Sequence, residues 1–389
     1  MSGDPFLALE GAVAADAGAP LHFGAPLAEQ RELENGDAIV SLSHRGIITV
    51  RGEDRLSWLH SMTSQGLAGL TPGQSVETLL LDPQGRIEHA IRLVDDGSCA
   101  WLLVDEGSAE SLTAFLQRMR FAMRVEITDV SDVYSTVLAF EGGSATRELR
   151  ALDSLVAEWH DPWAAALPGG VQYARGEHPA AGWSAVQCVV RREDLAEVAG
   201  LVTSGTVRAA GLLALDALEV RAWRPTVHGD VDERALPHEF DWLRTAVHLN
   251  KGCYRGQETV AKVHNLGHPP RRLALLHLDG SGGQLPLKGA LVRVAGAGAD
   301  ARPVGRVTRA ALHHEWGGIA LALLKRSVAE DVDLEVWLGD PQQPDSAHPE
   351  NRSANEPDDA AGEWLVATQE VIVPSDAGKT RDVPRLKRL

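Results

Sequence analysis

Apolar positions along the chain change period several times, and each change marks an element. Gly46-Ile-Ile-Thr-Val50 is β-branched and reads as a strand; beyond Arg51-Gly52-Glu53-Asp54, Leu56, Leu59 and Met62 recur at helical spacing, so a strand feeds a helix. Apolar runs at 76–81 and 87–94 flank Asp82-Pro83-Gln84-Gly85, where Pro in the second position and Gly in the fourth fit a type I turn and predict a hairpin. A third strand is expected at 99–104, and Leu112, Phe115, Leu116 and Met119 then fall at i, i+3, i+4 and i+7, an amphipathic helix. The first 21 residues are rich in Ala and Gly without a period and predict a disordered lead-in.

Strands at 135–140 and 185–190 surround a Trp-, Pro- and Gly-rich stretch, and a helical pattern at 193–202 follows, so an inserted domain is expected at 135–205 between two parts of a first domain, 22–134 and 206–268. Leu212, Leu215 and Leu218 predict a helix that ends before Pro225. Pro237 starts another, with Phe240, Leu243 and Val247 on its apolar face and Gly252 as its cap. Short strands at 273–278, 290–294, 304–308 and 319–324, with Gly-rich turns, predict a small β-barrel over 269–389, closed by a further strand at 364–373. An acidic, Pro-containing stretch at 340–362 lacks large apolar residues and predicts a disordered insertion.

Composition narrows the class. The 389 residues, 44% hydrophobic and 23% charged, match a soluble globular chain of two or three domains, and they exclude a disulfide miniprotein. The formal charge of −17 argues against a broad footprint on nucleic acid or an anionic membrane. With no long apolar run and no basic leader at Met1-Ser-Gly-Asp-Pro5, a cytoplasmic protein is expected, and a monomer is its simplest form. Three cysteines, Cys99, Cys188 and Cys253, are an odd and widely spaced set; they read as thiols without a zinc site.

Candidate chemistry gathers in Lys251-Gly252-Cys253-Tyr254-Arg255-Gly256-Gln257-Glu258. Two glycines bracket a Cys-Tyr-Arg core after a predicted helix end, so the chain can turn tightly and expose the thiol. Lys251 and Arg255 on either side would favour the thiolate, which is the reactive form of cysteine; the plain alternative is an exposed cysteine in a capping turn. Between Lys251 and Arg272 five basic residues face one acid, Glu258, a local charge of +4 that suits an anionic ligand or, equally, a solvated basic face. His228, His238, His248, His264 and His268 crowd the same region without metal-ligand spacing. Asp82 and Arg86 present a carboxylate and a guanidinium across a tight turn, useful to a pocket or to the turn alone.

The octapeptide at 251–258 resembles the signature Lys-Gly-Cys-aromatic-x-Gly-Gln-Glu of the YgfZ family of folate-binding proteins. Arg51-Gly-x-Asp54 with Trp58-Leu59, Asp82-Pro-x-Gly-Arg86, Leu236-Pro-His-Glu239 and Gly305-Arg-Val-Thr308 add further family-like features in order, from about residue 37 to 330. The resemblance implies an α+β glycine-cleavage T-protein-like fold: two interleaved α+β domains, the inserted one ferredoxin-like, around a folate pocket, plus a C-terminal β-barrel. It implies tetrahydrofolate or another reduced folate as cofactor and a role in iron–sulfur cluster assembly or repair, with tRNA modification affected indirectly. Partners would be the assembly machinery or client enzymes. Cys253 would be the functional thiol, with Asp82, Arg86, Arg221, Lys251, Tyr254, Arg255, Gln257 and Glu258 contacting folate or supporting the loop.

True aminomethyltransferases resemble Gly-Gly-Ile-x-Asp-Asp where this chain has Gly85-Arg86-Ile87-Glu88-His89-Ala90, and their folate-contacting Glu aligns loosely with Arg221. An acid that protonates or orients the leaving amine is therefore missing, which disfavours glycine cleavage. A tetrahydrofolate-dependent one-carbon transferase and a non-catalytic client-binding scaffold stay open as alternatives.

Overall fold

A computed structural model describes residues 3–280, 283–298, 301–340 and 363–380. The hairpin Ser75–Leu81/Ile87–Asp95 forms as the turn chemistry predicts, and it is the edge of a five-stranded antiparallel sheet that continues through Cys99–Val104, Gly46–Arg51 and Glu126–Asp129. Gly85, at φ +78°, ends the type I turn, and the pairing shifts by one residue at Leu81, as such a glycine bulge requires. Adjacent strand residues point to opposite faces, so both faces can be apolar. Ile48, Leu80 and Leu102 pack on Trp58, Leu59, Leu112 and Leu116 from the helices Arg55–Met62 and Ser108–Arg118. Ile47, Trp101 and Leu103 face the other way, against Trp159 and Val189 of a second sheet.

That second sheet runs Leu155–His160, Ala185–Arg191, Tyr134–Phe140, Ala38–Ser41 and Arg208–Ala209, the last pair parallel. The expected insertion at 135–205 therefore does not hold its sheet alone: Ala38–Ser41 and Arg208–Ala209, from either side of it, complete the sheet. Those strands are too short to carry a period in the sequence. The disordered lead-in is also corrected. Asp4 caps a 3-10 turn, Pro5–Ala8, by accepting from the Phe6 amide at 2.9 Å, and it accepts the Ser41 and Ser43 hydroxyls at 2.6 Å. Phe6 is fully buried against Ile39 and Val137, so one aromatic residue anchors the segment.

The helix expected from Pro237 is two 3-10 turns, Pro237–Phe240 and Trp242–Arg244, broken at Asp241 with φ +54°. Asp241 accepts the Tyr173 and Ala174 amides at 2.5 and 3.3 Å, and this ties the chain into a bend. Phe240, Trp242 and Leu243 are all buried, so the segment is enclosed and has no solvent face on which to form an amphipathic helix. Gly252 consequently caps no helix. The helix Leu212–Arg221 ends before Pro225 as predicted.

The C-terminal strands close a six-stranded barrel in the order Arg271–Leu278, Gly317–Lys325, Gly305–His313, Leu291–Val294, Leu334–Trp337 and Trp364–Val371. Trp364–Val371 pairs with both Leu334–Trp337 and Arg271–Leu278 and so seals it. Leu334–Trp337 was not anticipated; four residues alternate too briefly to register. Residues 341–362, which hold nearly all of the expected insertion, lie outside the described residues. Among the described residues, no helix is long and apolar enough to cross a membrane.

Candidate functional site

The two motifs singled out in the sequence meet face to face. Gly256, at φ +82°, lies so close to the turn that a Cβ there would fall 2.6 Å from the Asp82 carbonyl and 2.9 Å from Gly85 Cα; a Cβ on Gly85 would fall 2.8 Å from Thr259 Cβ. Only glycine on both sides permits this approach. Asp82 closes its own turn: its side chain accepts the Arg86 amide at 2.8 Å and its carbonyl accepts the Gly85 amide at 2.9 Å. Arg86 is exposed at the rim. Gly256 starts the helix Gln257–Leu266; Gln257 reaches back to the Lys251 carbonyl at 3.2 Å, and Glu258 points to solvent. The Cys253 thiol is exposed, whereas Cys99 and Cys188 are buried.

Neither cation expected to act on the thiol is free to do so. Lys251 is buried, and its ammonium donates to the carbonyls of His60, Thr63 (2.6 Å) and Gln65 (2.9 Å), which uses all three of its protons. Burial pushes this ammonium down to about 8. It also lies 5.0 Å from the ring of Tyr254, which is itself buried. Lys251 thus staples the loop to the C-terminal end of Arg55–Met62, where a helix dipole favours a cation. Arg255 pairs with Glu88 at 2.5 and 3.2 Å and lies 5.0 Å over the ring of Phe115.

Glu88 and His89 are neighbours on one strand and so face opposite ways. Glu88 meets Arg255 outside, while His89 turns inward, where burial lowers its basicity against the opposing charges of Glu88 and Asp105. Around Asp105 a buried polar cluster forms. Arg92 donates to it at 2.8 Å, with both side chains less than a tenth exposed. Desolvation would raise the Asp105 carboxyl, but Arg92 and Arg45 hold it well below the carboxylate range. Burial pushes His44 down to about 4 and also lowers Arg45. His44 Nδ1, Arg45 Nη1 and His89 Nδ1 are each buried without a hydrogen-bond partner.

Asp216, on the helix Leu212–Arg221, borders the same cluster through Arg45. Its side chain is 51% accessible, yet desolvation is the main cause that pushes it up to about 6, with Glu219 and Asp230 adding and Arg309 and Arg45 opposing. Arg309 is 3.7 Å from it and is held by Glu219 at 2.6 Å and Asp230 at 3.0 Å. A second buried set continues inward: Arg224 bridges Glu77 (2.7 Å) and Asp161 (3.0 Å), and Glu77 accepts from Trp242 Nε1 (2.9 Å) and Thr245 (3.1 Å).

Arg221 stands apart from the Cys253 loop. It pairs with Glu34 and lies 5.9 Å over Trp316. His44, Arg45, Asp105 and Asp216 escaped sequence reasoning. Glu77 and Arg92 did leave a signal, because each is a charge inside an apolar strand run, Val76-Glu77-Thr78 and Ile91-Arg92-Leu93.

Known proteins agree with this architecture. The glycine cleavage aminomethyltransferase T of Bartonella henselae superposes with a TM-score of 0.68 over 95% of each chain at 18% identity, which is a likeness of fold. In sequence the chain is 27% identical over 266 residues to a putative chloroplastic transferase of Arabidopsis thaliana, and 27% identical over 259 residues to a mitochondrial iron–sulfur cluster assembly factor IBA57 homologue of Mycosarcoma maydis. These alignments take in 63% and 61% of the chain but only 57% and 56% of those relatives. The aminomethyltransferase of Thermus thermophilus is 27% identical over 325 residues, 82% of this chain and 88% of that one. Residues 16–251, more than half of the chain, match the GCVT N-terminal domain, and the protein belongs to that family.

Proposed function

We propose that the chain binds a reduced folate between Asp216 and the Asp105 cluster and serves iron–sulfur cluster assembly or repair through Cys253. The observation that carries the reading is the set of buried, unpartnered nitrogens on His44, Arg45 and His89 beside the accessible Asp216 carboxylate. Unmet buried polar groups are costly, so their convergence favours a ligand with donors and acceptors along its edge. A reduced pterin fits that donor set: a neutral imidazole offers one donor and one acceptor, Arg45 donates and Asp216 accepts. When bound, the folate would supply a one-carbon carrier. Arg45, His44, His89 and Asp216 would hold and orient it, while the Arg92–Asp105 pair fixes the field around them.

The likeness to an iron–sulfur assembly factor supports the client class, and the exposed thiol supports a hand-over role over a buried acid–base step. Aminomethyl transfer is the weaker reading. The one carboxylate of Glu88-His89-Ala90 faces outward to Arg255, and burial lowers the basicity of His89. Any effect on tRNA-modifying enzymes would follow from their clusters.

Anaerobic calorimetric titration with tetrahydrofolate tests the reading. Saturable one-to-one binding is expected, weakened about tenfold or more by Arg45→Ala and by Asp216→Asn, as loss of a buried hydrogen bond to charge predicts. Cys253→Ala should bind folate normally yet fail to restore cluster-enzyme activity in a deletion strain. Absence of binding, or full restoration by Cys253→Ala, would overturn it.

A further inference from the structure

The segment Arg118-Met119-Arg120-Phe121-Ala122-Met123-Arg124 follows the helix Ser108–Arg118 and holds three arginines, no acid, and two of the four methionines of a chain whose net charge is −17. Phe121 at its tip is 80% exposed and has φ +46°, a conformation that a bulky residue rarely adopts. The tip is held out from both ends. Trp58 Nε1 donates to the Met119 carbonyl at 3.2 Å, the Arg120 carbonyl accepts the Met123 amide at 3.0 Å, and Asp54 accepts the Arg124 amide and guanidinium at 2.9 Å. Arg124 is thus paired, whereas Arg118 and Arg120 are exposed.

The patch runs on to the thiol loop. The ring of Phe115 has Arg118 at 5.8 Å and Arg255 at 5.0 Å, and Arg255 is two residues from Cys253. Of the acids that border it, Glu88 pairs with Arg255, and Glu53 and Asp54 both pair with Arg124, so the exposed Arg118 and Arg120 carry its positive charge. Aromatic, Met and Arg side chains are the residues enriched at protein–protein interfaces, and a rigid exposed aromatic loses little entropy on docking. An acidic partner would be repelled by the −17 surface as a whole and drawn to this local basic patch, which fixes its orientation. A lone phenylalanine with two exposed arginines is a poor membrane anchor, and the overall charge disfavours nucleic acid.

We infer that the Phe121 loop and the adjoining Phe115–Arg255 edge form the docking surface for an acidic protein partner, which on docking covers Cys253. The inference rests on the proposed function only for the role of the thiol; docking itself does not require folate.

The test places the photo-cross-linker p-benzoylphenylalanine at position 121 of the full chain in its own cells, with position 287 as control, since Leu287 is 56% exposed in the C-terminal barrel region, outside the Phe121 loop. The adduct is identified by mass spectrometry, and the purified partner is titrated against wild type, Phe121→Ala and the pair Arg118→Glu/Arg120→Glu. An acidic protein cross-linked at 121 and not at 287 is expected, with affinity that falls with salt and drops about tenfold or more in either variant, as for an interface hot spot. Unchanged thermal midpoints should accompany that loss, and the partner should slow alkylation of Cys253 by iodoacetamide. Adducts only with RNA or phospholipid, no protein adduct, or affinity indifferent to both variants overturns the inference. If the wild-type chain binds tetrahydrofolate but captures no acidic protein through position 121, this inference alone fails; if it captures such a partner but binds no tetrahydrofolate, the proposed function alone fails.

Discussion

Single side chains do unlike work in this protein although they share a charge. Lys251 sits in the most distinctive motif of the chain, yet its ammonium secures three carbonyls some 190 residues earlier and cannot also serve the thiol two residues away. Asp241 shows the opposite balance. It is fully buried, and desolvation outweighs the two amides it accepts, so its carboxyl is pushed up to about 7 from an ordinary value of 3.8. Between about pH 4 and 7 the unfolded chain has lost this proton while the folded chain keeps it, so stability falls as pH rises across that window and is flat above it. Asp241→Asn should remove that slope, a difference of at most ~4 kcal/mol at neutral pH. Urea midpoints of both proteins from pH 4.5 to 7.5 check it; parallel slopes would refute the assignment.

At the scale of elements, the decisive contact is between a hairpin turn and a helix-entry loop. Asp82-Pro-Gln-Gly-Arg86 was legible as a turn, and Lys251–Glu258 as a tight, thiol-exposing loop. That the two touch was not legible, because the contact is backbone against backbone across glycines at φ +78° and +82°. Gly256→Ala must both hold a left-handed backbone and move the Asp82 turn. We expect a loss of ~1–3 kcal/mol, as for strained glycine replacements and overpacking, together with faster alkylation of Cys253 as the loop lifts. Chemical denaturation and thiol-labelling kinetics read the two effects; an unchanged labelling rate would mean that the turn does not position the loop. The lead-in illustrates the same limit. Its low complexity reads as disorder, but Asp4 and Phe6 find partners on strands far along the chain.

For the whole molecule, charge is carried inward. Arg92, Asp105, Arg224 and Glu77 are all buried, and their chain of pairs joins the first sheet to the segment after Leu212–Arg221. Breaking such a pair leaves an uncompensated buried charge. Asp105→Ala should therefore cost ~3–5 kcal/mol, and the double variant Arg92→Met/Asp105→Ala should recover part of that loss. A double-mutant cycle by urea unfolding measures the coupling. Strict additivity would show that the two charges are screened separately by water.

The sequence by itself determined the strand-then-helix order, the hairpin, the barrel strands that alternate for long enough, and the exposure of Cys253, because these depend on local period and turn chemistry. Its family resemblance also carried the fold, which the structural likeness bears out. Tertiary structure alone decided that the second sheet borrows Ala38–Ser41 and Arg208–Ala209, that Lys251 and Arg255 are taken up by distant partners, and that Asp216 stays half accessible beside Arg309. The physical reason is one of range. A period or a turn is set by residues a few positions apart, whereas a charge acquires its role from whichever partners the folded chain brings within about 4 Å of it.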